Sequence, residues 1–267
     1  LNAAATADLP RGNDGVVSCT AVDAWVRQRD AALRARVAQG EDETLVPLLL
    51  FGTSYTAAPR LTREFFENAQ RASTADGSGK AGVERAFTRA FEQRTDDLLR
   101  GMAAPGDNVR LQWARDTLAR HGHRFDSPAA RAAAGQFLVE TFARVTRESE
   151  EIDRRLGTAG AEADSVAERA RAFAQRGLAP DTSWPIGFAV DRALAALRDR
   201  GDIAPASLRH LVVVGPGLDV LDKDEGLDRH PPQSLQPFAV IDSVLALGLG
   251  NAASLHVTTL DVNARVT

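Results

Sequence analysis

Leu211-Val212-Val213-Val214-Gly215-Pro216-Gly217-Leu218-Asp219 is the stretch that decides how this chain is read. A β-branched run stopped by glycine predicts a fully buried parallel strand over 210–215. The two glycines that follow have different uses. The first permits a tight turn, and the second, lacking a side chain, lets a ligand approach the backbone. In an open parallel sheet such a turn lies at the carboxyl ends of the strands, where ligands bind. Downstream, 233–249 reads as an apolar helix and 255–262 as a second strand that carries Asp261 at its end. A carboxylate at that place accepts hydrogen bonds from both hydroxyls of a ribose.

Working outward, the pattern before residue 205 is helical. Residues 1–20, with Pro10, Gly12 and Gly15, read as an extended leader. Val22, Trp25, Val26, Leu33 and Val37 share one helical stripe, and Gly40 is the expected stop. The apolar run Leu45 to Phe51 fits a short buried helix or a strand, and periodicity does not choose. Further helices are expected after Thr62, from about Val83, from Val109 to Gly122, after Ser127-Pro128, over 161–176, and from Gly187 to Arg200. Phe188 is expected to point inward in the last of these, and 180–185 is expected to be a turn. The fold class is therefore α/β, predominantly helical. A leader (1–20) and a large helical region (21–205) precede the start of a parallel β-α-β unit (206–267).

Composition limits the function. The 267 residues carry 32 Lys plus Arg against 36 Asp plus Glu, a net charge of −4, which is too balanced for a dedicated nucleic-acid binder. No apolar run approaches the roughly 18 residues of a membrane span. Lysine stands only at Lys80 and Lys223, an arginine-rich habit that suggests a bacterial source. The lone Cys19 excludes an internal disulfide and is expected to be buried or half-buried. The chain begins without Met, as a processed product or a fragment would, so exported and cytoplasmic locations both stay open.

Three other motifs have plain structural explanations. Asp76-Gly77-Ser78-Gly79-Lys80 lacks the glycine spacing and the hydroxyl residue of a phosphate loop and reads as a surface loop. His121-Gly122-His123 has no partner at metal-ligand spacing and reads as a helix end, so no metal site is expected. Glu148, Glu150, Glu151 and Asp153 alternate with arginines as on a solvated helix face. The loop 222–237 is richer. Asp222, Asp224, Glu225 and Asp228 mix with Lys223, Arg229 and His230, and His230 is the candidate for general acid–base work because its ordinary pKa lies near neutrality.

The strand, the G-x-G turn and Asp261 together resemble S-adenosylmethionine-dependent methyltransferases of the Rossmann-like class. In that class a first strand ends in G-x-G-x-G and an acidic residue ends the next strand. The resemblance implies that Gly215 and Gly217 face the methionine part of the cofactor and that Asp261 holds its ribose. Asp219, at the place of the third glycine, joins the same cofactor-binding set. The block from Gly215 through His230 to Phe238, with Leu50 to Ser54 and Arg176 to Ser183, is similar to uncharacterised bacterial methyltransferase-like proteins. Many of these look exported. Against the class pattern, the span from Gly217 to Asp261 is about twice that of a simple crossover. The sequence also ends just past the second strand, where further strands are expected from a longer chain or a partner. Two functions follow. One is a methyltransferase-like protein with a partial nucleoside crevice and an unknown acceptor. The other is a non-catalytic assembly subunit, a homo-oligomer or one bound to a protein partner, that uses the helical region and the 222–237 loop as its interface.

Overall fold

A computed structural model describes residues 18–158, 176–182, 186–221 and 231–266. The expected helix over 161–176, the acidic half of the 222–237 loop and His230 lie almost wholly or wholly outside them. Five helices come first: α1 (Cys19–Phe51), α2 (Arg63–Ala75), α3 (Gly79–Ala103), α4 (Val109–Arg120) and α5 (Pro128–Thr158). Then follow α6 (Ile186–Asp199), β1 (His210–Val214), α7 (Gln236–Ala246) and β2 (His256–Leu260). β1 and β2 pair in parallel, His210 opposite His256 through Val214 opposite Leu260. The chain is thus mostly helical with a small parallel sheet.

α1 corrects three expectations. Ser18 caps its first turn by accepting from the Ala21 N–H, so the helix begins inside the expected leader and leaves Cys19 exposed. Gly40 does not stop it. The helix runs 33 residues through Gly40 and Pro47 to Phe51, because its second half is buried by the bundle and packing outweighs the weak propensity of one glycine. The apolar run 45–51 is therefore helix, and Leu45, Leu48 and Leu49 join Leu98, Met102, Leu111, Leu118 and Leu138 in the core. The stripe expected from Val22 to Val37 is less buried, and Val26 is exposed. Beside this core, Phe65, Phe66, Phe87, Phe91 and Phe142 form a chain of ring contacts with centroids 5.0–5.8 Å apart between successive partners.

The C-terminal end of α1 is closed by side chains from elsewhere. Arg94, on the core stripe of α3, is fully buried. Its Nε donates to Leu49 O at 2.6 Å, and its terminal nitrogens donate to Gly52 O, Ala58 O, Pro59 O and the Tyr55 hydroxyl. Tyr55 Oη in turn contacts Leu48 O and Leu49 O, each at 3.0 Å. One guanidinium thus supplies donors to buried carbonyls at the end of the helix and in the loop that follows it.

One turn on, Asp97 accepts from the Thr56 hydroxyl at 2.5 Å and pairs with Arg100. The Thr56 hydrogen bond first, then Arg100, holds the Asp97 carboxyl below its ordinary range. A depressed carboxyl contributes stability above its unfolded pKa and loses it as pH falls through the folded pKa. Asp97→Asn is therefore expected to cost about 1 kcal/mol at neutral pH. That difference should close below the carboxylate range in urea melts run at stepped pH. An undiminished difference at acid pH would rule out the charge as its source.

β1 is not fully buried. Val213 faces inward, but Val212 and Val214 are 61% and 75% exposed and Leu260 is 55% exposed. In a two-stranded sheet one face is covered by helix and the other has no layer on it among the described residues. Phe188 of α6, expected inward, is likewise exposed.

Candidate nucleoside crevice at the Gly215–Gly217 turn

Both glycines at the end of β1 have positive φ, 67° at Gly215 and 63° at Gly217, which explains their residue type. Their surroundings differ. A Cβ placed at Gly215 would meet nothing within 4 Å, whereas one at Gly217 would lie 2.7 Å from Pro180 O and 3.0 Å from Thr182 Cβ. The bare side of Gly217 is occupied by the chain's own segment 176–182.

That segment is a strap rather than a free turn. At one end Leu178 N–H donates to Arg36 O at 2.7 Å and Arg36 Nε donates to Arg176 O at 2.9 Å. Gly40 and Gly177 let the two backbones cross, with a Gly40 Cβ position only 2.1 Å from Leu178 C. At the other end Leu218 N–H donates to Pro180 O at 2.6 Å and Thr182 N–H donates to Leu218 O at 2.8 Å. Val220 N–H donates to Asp181 Oδ1 at 3.3 Å. From the far side, Ser234 Oγ donates to Gly217 O at 2.8 Å and Asp219 N–H donates to Gln233 O at 2.8 Å. Arg110 of α4 donates to Val220 O.

Asp261, the first residue after β2, brings its carboxylate to this turn. Oδ2 accepts from Gly217 N–H at 3.3 Å, and Oδ1 accepts from Asn263 N–H at 2.8 Å. Asn263, 4% exposed, anchors the arrangement to the bundle, because its Nδ2 donates to Glu41 Oε1 at 2.9 Å. Glu41 is also paired with Arg120 and, at 3.6 Å, with Arg265. The next two residues of α1 find other partners. Asp42 meets His121 at 2.8 Å and Glu43 meets Arg144 at 3.2 Å. Successive residues on a helix point about 100° apart, so three adjacent carboxylates reach three different partners. His121 thus serves as a partner of Asp42 at the end of α4.

The structure brings together Gly215, Gly217 and Asp261. Asp219 is buried and faces a neighbouring cavity of about 450 Å³ between α6 and α7, also lined by Thr182, Phe188, Asp191, Asp242 and Ser243. Sequence reasoning passed over Glu41, Asn263 and the strap. The available signals were an acidic triplet set against an apolar helical run and the two glycines Gly40 and Gly177. Among the described residues no group of three His, Cys, Asp or Glu side chains is placed to hold a metal ion, and no helix is long and apolar enough to cross a membrane.

Comparison of the chain with protein-family models, curated proteins and solved structures finds no match.

Proposed function

We propose that this chain is a methyltransferase-like protein whose 210–261 unit holds the nucleoside part of S-adenosylmethionine at the Gly215 side of the turn. The observation that carries the reading is the Asp261 carboxylate set against the Gly217 N–H at the carboxyl ends of two parallel strands. Each Asp261 oxygen accepts one backbone N–H, which leaves further lone pairs for the two ribose hydroxyls. The open space at Gly215 adds to this. Gly217 fits a different part in the site, because its bare side receives the strap; it shapes the turn and orients Asp261. Methyl transfer needs mainly an in-line approach of the acceptor to the sulfonium methyl, so no catalytic triad is required.

Calorimetric titration with S-adenosylmethionine and S-adenosylhomocysteine tests the reading. The wild-type chain is expected to bind both, and Asp261→Ala is expected to weaken both by about tenfold or more, as loss of hydrogen bonds to a charged group does. Absence of binding by the folded wild-type chain would exclude the reading.

The exposed apolar face of Val212, Val214 and Leu260 favours the second reading, a non-catalytic assembly subunit. Sedimentation measurements would support it if the chain forms a stable oligomer that Val214→Lys dissociates.

A further inference from the structure

The open face of the sheet begins with a pair of histidines. His210 and His256 are the first residues of β1 and β2 and stand opposite each other in the parallel register. Alternate residues of a strand share a face, so both lie on the uncovered side with Val212, Val214 and Leu260. Both histidines are exposed. Their rings are stacked, with centroids 5.3 Å apart and planes 25° from parallel.

The hydrogen bond at His256 decides which of its nitrogens is free. Nδ1 lies 3.1 Å from Ser254 O. A carbonyl oxygen only accepts, so Nδ1 carries the proton and the lone pair of the neutral ring is on Nε2. One ring N–H given to a backbone carbonyl, with the other nitrogen bare, is the usual arrangement of a metal-ligating histidine. The His210 ring makes no hydrogen bond among the described residues and is free to turn. The outer torsion of histidine is broad, so two rings this close can bring both bare nitrogens onto one ion at about 2.0–2.1 Å. Imidazole suits copper, nickel and zinc, whereas hard cations such as magnesium take oxygen ligands. No third His, Cys, Asp or Glu joins the pair among the described residues, so water fills the remaining positions.

We infer that His210 and His256 form a two-histidine site for a divalent copper, nickel or zinc ion, which ties the start of β1 to the start of β2. The glycine turn stands at the other end of the strands, about 13 Å away for four steps along a strand. The site therefore does not rest on the nucleoside reading.

The test is calorimetry of the full, untagged chain with the chlorides of copper(II), nickel, zinc and magnesium, at about pH 7.5 because the ligand is neutral imidazole. The first three are expected to bind saturably, copper most tightly, and magnesium not at all. His210→Ala and His256→Ala are each expected to lose about tenfold or more in affinity, because the second ligand of a chelate acts at high effective concentration. The double variant should bind little worse than either single one, since removal of one ring already breaks the chelate. Both side chains are exposed, so the variants are expected to keep the wild-type far-ultraviolet circular dichroism. Absence of saturable binding, undiminished binding by either single variant, or losses that simply add in the double variant would overturn the proposal.

Discussion

Arg94→Met is expected to lower the stability of the helical bundle by about 3–5 kcal/mol, because it removes the donor from several buried carbonyls at once. The side chain is fully buried, and its donors serve Leu49 O, Gly52 O, Ala58 O, Pro59 O and the Tyr55 hydroxyl. Methionine fills similar space but donates to none of them. Each carbonyl left buried without a donor costs about 1–3 kcal/mol, partly relieved where water enters. Folded domains have only about 5–15 kcal/mol in total, so the variant should be close to unfolding at physiological temperature. Arg94→Lys keeps the charge but loses the planar fork, and one ammonium does not reach carbonyls spread around a guanidinium plane. It should recover only part of the loss. Urea denaturation followed by circular dichroism measures both variants. A cost below about 1 kcal/mol for Arg94→Met would mean that water or other donors already serve those carbonyls.

The second large effect is expected at Gly40. A Cβ there would lie 2.1 Å from Leu178 C and 2.3 Å from Ala179 N, both backbone atoms. Such a clash is relieved only by moving one chain off the other. Alanine improves helix propensity by about 1 kcal/mol, so α1 gains locally. Overpacking costs about 1–3 kcal/mol or more and falls on the strap, which is held to the rest of the chain by a few hydrogen bonds. The strap should therefore leave while the helix stays. The bonds from Leu218 N–H to Pro180 O and from Thr182 N–H to Leu218 O would go with it. Hydrogen exchange is expected to accelerate strongly at Leu218 and Thr182 in Gly40→Ala, with amides in the middle of α3 unchanged. Wild-type protection at Leu218 and Thr182 would show that the crossing does not hold the turn. Should S-adenosylmethionine bind the wild-type chain, the same variant should bind it more weakly, since the turn that carries Gly217 is loosened.

Several elements were legible from local pattern. Thr62 and Asn108 cap α2 and α4, Pro128 opens α5, and the valine run makes β1. These features are decided within a turn or two of chain, by a side-chain oxygen that satisfies an end N–H or by β-branched residues in sequence. The parallel pairing of β1 with β2 and the meeting of Asp261 with the glycine turn also follow from local signals, because one crossover joins the strands. Of the stretch Asp76 to Lys80, read as a surface loop, Asp76 and Gly77 are an exposed turn, while Gly79 and Lys80 already belong to the first turn of α3.

Other features depend on contacts between distant residues. Gly40 reads as a stop when judged by propensity alone, and it is a crossing point because Leu178, far along the chain, lies against it. Arg94 has no local partner to mark it out, and its role appears only once the end of α1 is brought beside it. Glu41, Asp42 and Glu43 follow one another on α1, yet each is committed to a partner of its own from α4 or its cap, α5 or the C-terminal segment. By itself the sequence determined where most of the helices and both strands lie, and that a glycine turn stands beside a carboxylate. Only tertiary structure decided which charges are buried and which glycine stays open, because burial and close approach are properties of pairs of segments, and neither segment carries the identity of its partner.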